Sequence, residues 1–380
     1  MSIRTAIIGL SSSGNGWASS AHLPYLLSPQ GKERYTIVAV CNSSKEAARS
    51  AIERHQLPPQ TKPYGNPEFL AEDTDIDLVV CCTRVDKHYD TILPSIKAGK
   101  AIYLEWPLAH DLRHSQELVH AARISGSKTL VGLQGRFAPA LEQVRNVIAE
   151  GRIGRVLRTK IRASGASSRP DVLPARLKCF TDWAVGGNIL TIHFGHLLDQ
   201  IQYVIGDVID IHGYCQIQRP EIGIADPATQ TVTETVKTDV PDLIILQGQL
   251  QARDTTDTST LFARFGLGAP FPGEPAMVWH VVGETGELRL TAEGTTTLQA
   301  QGYDKPVSID IFDFNTNKVE AVRWTWSDWQ SALPIPAGSV GRLYEALASG
   351  DTAGIPSFED ALRRHMQLGE MLSSGSKWPS

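Results

Sequence analysis

The sequence predicts two domains, α/β followed by α+β, and three observations carry that reading. The first third alternates strand-like apolar runs with helical patterns, as βαβ units on a parallel sheet do. After Pro139 the strand-like runs continue without regular helices between them, the pattern of a mostly antiparallel open sheet. The 380 residues allow two or three domains at about 150 residues each. Residues 1–137 are assigned to a doubly wound parallel domain and 138–380 to the second, with the C-terminal helices free to pack back on the first.

Thr5 to Gly9 is a short apolar run that stops at glycine. Tyr35 to Cys41 is β-branched and continuously apolar, like a strand buried on both faces. Ser44 to His55 reads as a helix, with Ser43 or Ser44 as its cap and Ala47, Ala48, Ala51 and Ile52 on one face. Strands follow at Leu78 to Cys82, Ala101 to Glu105 and Thr129 to Leu133. Helices His88 to Ala98 and Asp111 to Ser125 lie between them, each closed by glycine, Gly99 and Gly126. A helix from Leu141 to Gly151 opens the second domain. Its strands read at Val156 to Ala163, Val208 to Ile217, Asp242 to Gln251, Thr258 to Phe265 and Gly286 to Thr291. Asn188 to Val204 is the one long helical stretch among them. Gln218 to Pro241 is polar and Gly266 to Pro275 is Gly/Pro-rich, so both read as exposed loops. Trp324 and Trp326 alternate like one face of a strand, with Trp329 nearby, and read as a buried or interface sheet face. The chain ends on helices at about Val340 to Ser349 and Phe358 to Ser373.

Composition excludes several classes. Lys+Arg number 36 against Asp+Glu 41, a net charge of −5, without the basic balance of a general nucleic-acid binder. No apolar run reaches the ~20 residues of a membrane span, and the N-terminus lacks a signal-peptide stretch. Cys41, Cys81, Cys82, Cys179 and Cys215 include no C-x-x-C pair, which fits reduced thiols of a cytoplasmic protein. No clustered Cys/His set suggests a metal.

The first strand runs into Gly9-Leu10-Ser11-Ser12-Ser13-Gly14-Asn15-Gly16. Gly9, Ser11 and Gly14 keep the spacing of a G-x-G-x-x-G loop, with serine at the second position. Backbone amides of Leu10 and Ser12 and the serine hydroxyls then offer an anion site for a pyrophosphate. Between the first strand and first helix of a βαβ unit, this is the dinucleotide site of a Rossmann domain. The second strand leads into Asn42-Ser43-Ser44-Lys45, with no carboxylate to repel a 2′-phosphate and a lysine to pair with one. The reading leans to NADP over NAD.

Further motifs fall in order: Thr83-x4-His88, Glu105-Trp106-Pro107, Gln134-Gly135-Arg136-Phe137-x-Pro139, Glu150-Gly151-x-Ile153-Gly154 and Gly186-Gly187-x8-His196-x2-Asp199. Together they resemble the Gfo/Idh/MocA oxidoreductase family over nearly the whole chain. Gly9-Leu10-Ser11, Gly16-Trp17, Glu105-Trp106, Leu133-Gln134-Gly135-Arg136 and Phe194-Gly195-His196 resemble its fungal galactose-regulon repressor branch. The resemblance implies a cofactor cradle that includes Thr83, His88, Glu105, Trp106 and Gln134, and a dimer or tetramer formed through the second domain's sheet. It also implies a Glu-Lys-Pro lysine beside nicotinamide, completed by a downstream Asp and His. Glu105 and Pro107 stand at two of these positions, but Trp106 replaces the lysine and Ile192 the aspartate, while His196 is retained. An indole N–H donates a hydrogen bond but does not relay protons as an ammonium does.

His196 and His193 are the titratable candidates that remain, three residues apart on one helical face. Lys178 could supply a replacement cation, and Asp182 a carboxylate. Three functions stay open. One is an NAD(P)-dependent oxidoreductase for a small carbonyl, alcohol or enone. The second is a non-enzymatic dinucleotide-binding co-regulator with a protein partner, which could be nuclear. The third is a redox-neutral epimerase, lyase or cyclase. Brief connections, with little room for a partner-binding insertion, favour the first.

Overall fold

A computed structural model describes residues 2–252, 257–300, 302–351 and 354–375. The chain divides into two compact units. One takes residues 1–134 and 326–365, the other residues 135–325 and the chain from Met366 onward. Residues 326–365 thus group with the first unit; the sequence reading put them in the second domain with its C-terminal helices free to pack back on the first.

The first unit is built on six strands: β1 (Ile3–Ile8), β2 (Tyr35–Cys41), β3 (Lys62–Tyr64), β4 (Leu78–Cys81), β5 (Ala101–Leu104) and β6 (Thr129–Val131). Their order is β3-β2-β1-β4-β5-β6 and every pairing is parallel. This is the doubly wound arrangement, whose strand order reverses beside β1. All four residues of β4 are buried, as a strand covered on both faces requires. The crossover helices obey ordinary capping chemistry. Ser44 accepts from the Ala47 amide at the start of Lys45–Arg54, and Asp111 from the His114 amide at the start of Leu112–Ser125. Gly126 ends the latter helix at φ +71°. A helix at Ile335–Ser349 completes this unit, and its Tyr344 ring stacks on Tyr25 at 5.3 Å. Gly341 permits that approach, since a Cβ there would meet the Tyr25 ring at 2.7 Å.

The second unit holds strands β7 (Val156–Gly165), β8 (Val172–Pro174), β9 (Asp207–Gln216), β10 (Glu221–Ala225), β11 (Val232–Lys237), β12 (Leu243–Gln251), β13 (Thr258–Leu267), β14 (Met277–Gly283), β15 (Gly286–Ala292), β16 (Val307–Asp313) and β17 (Lys318–Val322). Eight of them form one sheet in the order β17-β16-β15-β14-β7-β13-β12-β9. Its pairings are antiparallel except β13 with β7. Burial alternates along β13, so one face packs inward while Phe262 stands on the outer face.

Three readings are corrected here. Gln218 to Pro241 is not all loop: β10 and β11 lie within it and join β8 in a three-stranded sheet. The residues of β11, Val-Thr-Glu-Thr-Val-Lys, are mostly exposed, so no apolar periodicity marked the strand. Asn188 to Val204 is not one regular helix: Ile189–Phe194 forms a wider π-type turn before the α-helix Gly195–Val204. Trp324 and Trp326 follow the end of β17 rather than lying on a strand, and Trp324 belongs to the second unit while Trp326 belongs to the first. Among the described residues, no helix is long and apolar enough to cross a membrane.

Candidate functional site

The glycine loop starts where β1 ends. Gly9 adopts φ +91°, and a Cβ there would lie 3.0 Å from the Cys82 backbone and from the Thr83 side chain. Glycine alone lets β1 turn this tightly against the end of β4. Gly14 adopts φ +78° beside the guanidinium of Arg54. The serines build the loop internally: the Ser13 amide donates to Ser11 Oγ at 3.1 Å, and the two hydroxyls meet at 2.9 Å. Leu10 is buried as an anchor, whereas Ser12 and Ser13 are exposed. Asn42 Nδ2 donates to the Leu10 and Ala47 carbonyls, tying the loop to the helix Lys45–Arg54. Ser44 caps that helix, Ser43 precedes it and Lys45 is exposed. A turn with no room for a side chain at Gly9, open hydroxyls and no acidic residue from Gly9 to Gly16 suits an anionic dinucleotide.

The other residues of this unit that the resemblance assigns to the cofactor are tightly held. His88 is buried, with its ring bridging the Thr83 carbonyl at 3.0 Å and the Pro107 carbonyl at 2.9 Å. Glu105, at the end of β5, contacts His22 Nε2 at 2.9 Å, and His22 Nδ1 meets Tyr344 Oη at 2.7 Å. A Cβ on Gly132 would press within 2.5 Å of the Glu105 carboxylate. Trp106 is 4% exposed, and its ring packs on His365 at 4.8 Å. His365 Nε2 accepts from the Leu108 amide, and burial pushes its imidazole down to about 4. Gln134 is buried at the start of a short turn, Gln134–Phe137. His22, Tyr344 and His365 escaped the sequence reading because they sit far along the chain from the motifs they support.

In the second unit, His196 is buried at the start of the helix Gly195–Val204. Burial drives its imidazole down to about 3, against the pull of the Asp199 carboxylate; the field of neighbouring His193 adds to the depression. Asp199 forms a forked, buried pair with Arg136, at 2.8 and 2.7 Å. His193, in the π-type turn, is lowered to about 4 by burial and edges the Phe180 ring. Both imidazoles are therefore neutral at physiological pH. Lys178 is half-exposed, and its ammonium is held by both oxygens of Glu234 at 2.7 Å. Ile192 stands in the same turn as His193 and carries no polar group. The structure brings His193 and His196 together and leaves Lys178 in a surface ion pair.

A doubly wound nucleotide-binding unit joined to an open-sheet α+β unit defines a two-domain, dinucleotide-binding class of protein. Residues 3–133 match the family model for oxidoreductases with an NAD-binding Rossmann fold, GFO_IDH_MocA. Residues 139–292 match the model for the C-terminal domain of Gal80p. Residues 3–133 are thus of Gfo/Idh/MocA type and residues 139–292 of Gal80p C-terminal type. It is 27% identical over 372 residues to dehydrogenase aclE of Aspergillus oryzae, covering 98% of this chain and 96% of that one. It is 28% identical over 258 residues to the galactose/lactose metabolism regulatory protein GAL80 of Saccharomyces cerevisiae. That match covers 65% of this chain and 58% of the regulator. The crystal structure of a Gal80p super-repressor mutant from Saccharomyces cerevisiae superposes with a TM-score of 0.86 at 22% identity, covering 98% of this chain and 96% of that one.

The depressed histidines set a pH dependence. His193, His196 and His365 stay neutral when folded but take up protons when unfolded below their ordinary value near 6.5. The unfolded state then binds more protons, so stability is full above pH 6.5 and falls as pH drops toward 4. Each such site contributes up to about 1.4 kcal/mol of loss per pH unit in that window. Thermal unfolding should show a steep fall in Tm between pH 6.5 and 4.5, shallower in His196→Phe; a flat profile overturns the assignment.

Proposed function

We propose that the chain is an NAD(P)-dependent oxidoreductase acting on a small carbonyl, alcohol or enone, with Trp106 in place of the family lysine. The observation that carries this is the glycine loop, whose Gly9 turn excludes a side chain and leaves backbone and serine hydroxyls for a pyrophosphate. When bound, the nicotinamide supplies or accepts the hydride. The chain's residues hold and orient. Gly9, Leu10, Ser11, Ser12 and Gly14 cradle the phosphates. Asn42, with Nδ2 engaged, keeps Oδ1 to accept a ribose hydroxyl. Thr83, His88, Glu105, Trp106 and Gln134 shape the nicotinamide side. Neutral His196 offers a hydrogen bond to the reacting oxygen, and His193 stands next to it.

NADP is the favoured form, because Asn42-Ser43-Ser44-Lys45 carries no carboxylate and the exposed Lys45 can pair with a 2′-phosphate. In thermal-shift titrations, NADPH near 100 times its Kd should raise Tm by roughly 5 °C or more. NADH should do less, and Lys45→Ala should narrow the gap. Failure of all four nicotinamide forms to stabilise the protein would sink the cofactor assignment.

A regulator is the second reading. Trp106 is packed on His365, so neither its position nor that of Ile192 offers an exchangeable proton, and the second domain is of Gal80 type. Turnover separates the two. His196→Ala should lower kcat by about 100-fold or more while cofactor-induced stabilisation stays unchanged. An unaltered kcat removes His196 from the chemistry, and absence of turnover in the parent protein favours the regulator.

The outer face of the eight-stranded sheet, carrying exposed Phe262 and Tyr214, is proposed as the surface through which copies associate. Sedimentation should give a dimer or tetramer that Phe262→Arg shifts toward monomer; a monomeric parent protein refutes this.

A further inference from the structure

We infer that His110, Asp111 and His114 form a binding site for a divalent transition-metal ion of the imidazole-preferring kind, such as Zn²⁺. The site lies outside the cofactor cradle and does not rest on the oxidoreductase reading.

The three residues stand where the chain enters the helix Leu112–Ser125. Asp111 caps that helix, His110 precedes the cap and His114 lies in the first turn, on the same side as Asp111. The two imidazole rings lie 4.4 Å apart between centroids. His114 Nδ1 is 2.8 Å from Asp111 Oδ1, and His110 Nε2 is 3.4 Å from Asp111 Oδ2. One nitrogen of each ring and one carboxylate oxygen fall within 4.8 Å of one another. A tetrahedral zinc ion with bonds near 2.0–2.1 Å sets its ligands about 3.3 Å apart, so small side-chain rotations close the set.

The two oxygens of Asp111 have different duties. Oδ1 accepts from the His114 amide at 2.7 Å and makes the cap. Oδ2 faces His110 at a distance too long for a good hydrogen bond. His110 Nδ1 has no hydrogen-bond partner either, so this ring is under-satisfied at both nitrogens. The Tyr89 ring packs edge-on against His114 at 4.5 Å and orients it. The side chains of His110, Asp111 and His114 are 27%, 44% and 15% exposed, so an ion can reach them with its water. The other such group among the described residues, His22, Cys82 and Glu105, is closed: His22 is fully buried and both its nitrogens are taken, by Glu105 and Tyr344.

The donor set selects the ion. Two imidazoles and one carboxylate suit zinc and its neighbours, with a fourth place left to water. Ca²⁺ and Mg²⁺ prefer all-oxygen shells, which this set does not supply. One cation competes: Arg113 Nη2 donates to His114 Nε2 at 2.7 Å. Arginine only donates, so the His114 proton sits on Nδ1, toward Asp111. An ion at Nδ1 moves that proton to Nε2 and turns Arg113 away, toward Glu117, with which it already pairs at 2.7 Å. The sequence reading looked for clustered Cys/His and found no metal set; here a carboxylate between two histidines completes one.

Zinc titration of the full chain, free of any affinity tag and read by competition with a chromogenic chelator, tests this. Zn²⁺ should bind with a Kd of about 10 μM or tighter, while Mg²⁺ and Ca²⁺ at about 1 mM should not compete. His110→Ala should weaken zinc by about tenfold or more, since a ligand is lost. Asp111→Asn should weaken it by about fivefold or more yet leave the metal-free Tm within about 2 °C, because asparagine caps a helix as well as aspartate does. Arg113→Gln should tighten zinc by about twofold or more, and a loosening would count against an ion at Nδ1. If His110→Ala fails to fold, Asp111→Asn still decides. The site is overturned by a parent protein that takes up no zinc at about 100 μM, by Mg²⁺ or Ca²⁺ binding as tightly, or by zinc uptake indifferent to Asp111→Asn.

Discussion

The first unit depends on how it houses one buried carboxylate. Glu105 ends β5 in the interior, where an ionised group without partners would be costly. His22 meets it at 2.9 Å and is itself held by Tyr344 at 2.7 Å. Three distant parts of the chain are joined by this contact: the turn after the glycine loop, the end of β5 and the helix Ile335–Ser349. The Tyr35 hydroxyl donates to the Tyr344 carbonyl and Tyr25 to Glu345, so the helix is fastened along its length. Residues 326–365 belong to the first unit for this reason. The same contact fixes the segment that follows the glycine loop, and so the exit of the loop itself.

That constraint shapes the chemistry next to it. Glu105 is engaged by His22 and confined by Gly132, so the carboxylate is held in one place. Trp106, one residue on, is covered by His365, which accepts from the Leu108 amide. Position 106 is a packed aromatic contact and offers no mobile proton. In the second unit the candidate imidazoles are neutral and desolvated. They are better suited to hydrogen bonding than to rapid proton exchange, because a base lowered to about 3 or 4 is unprotonated but weak.

Much of the first unit was legible because its signals are local. Continuous apolar runs marked β2 and β4, and Asp111 and Gly126 bracket their helix as capping chemistry requires. The glycine spacing read correctly as a tight turn, since the positive φ of Gly9 and Gly14 is a property of single residues. The rest depends on partners distant in sequence. Nothing in a lone His22 announces a contact with Tyr344, and the exposed Thr/Glu alternation of β11 looks like a loop until Ile222 and Ile224 give its neighbour β10 a buried side. The π-type turn was equally hidden, because Ile189–Phe194 has a composition that an ordinary helix tolerates.

The glycine turn and the residue at position 106 are separable because different forces maintain them. The Gly9 turn is enforced by sterics against Cys82 and Thr83, so any substitution there disturbs the β1–β4 packing whatever the protein does. Position 106 has no such steric constraint: an indole fills it and packs on His365. A dinucleotide cradle can therefore persist through a change of activity, and the cradle alone cannot distinguish catalysis from regulation.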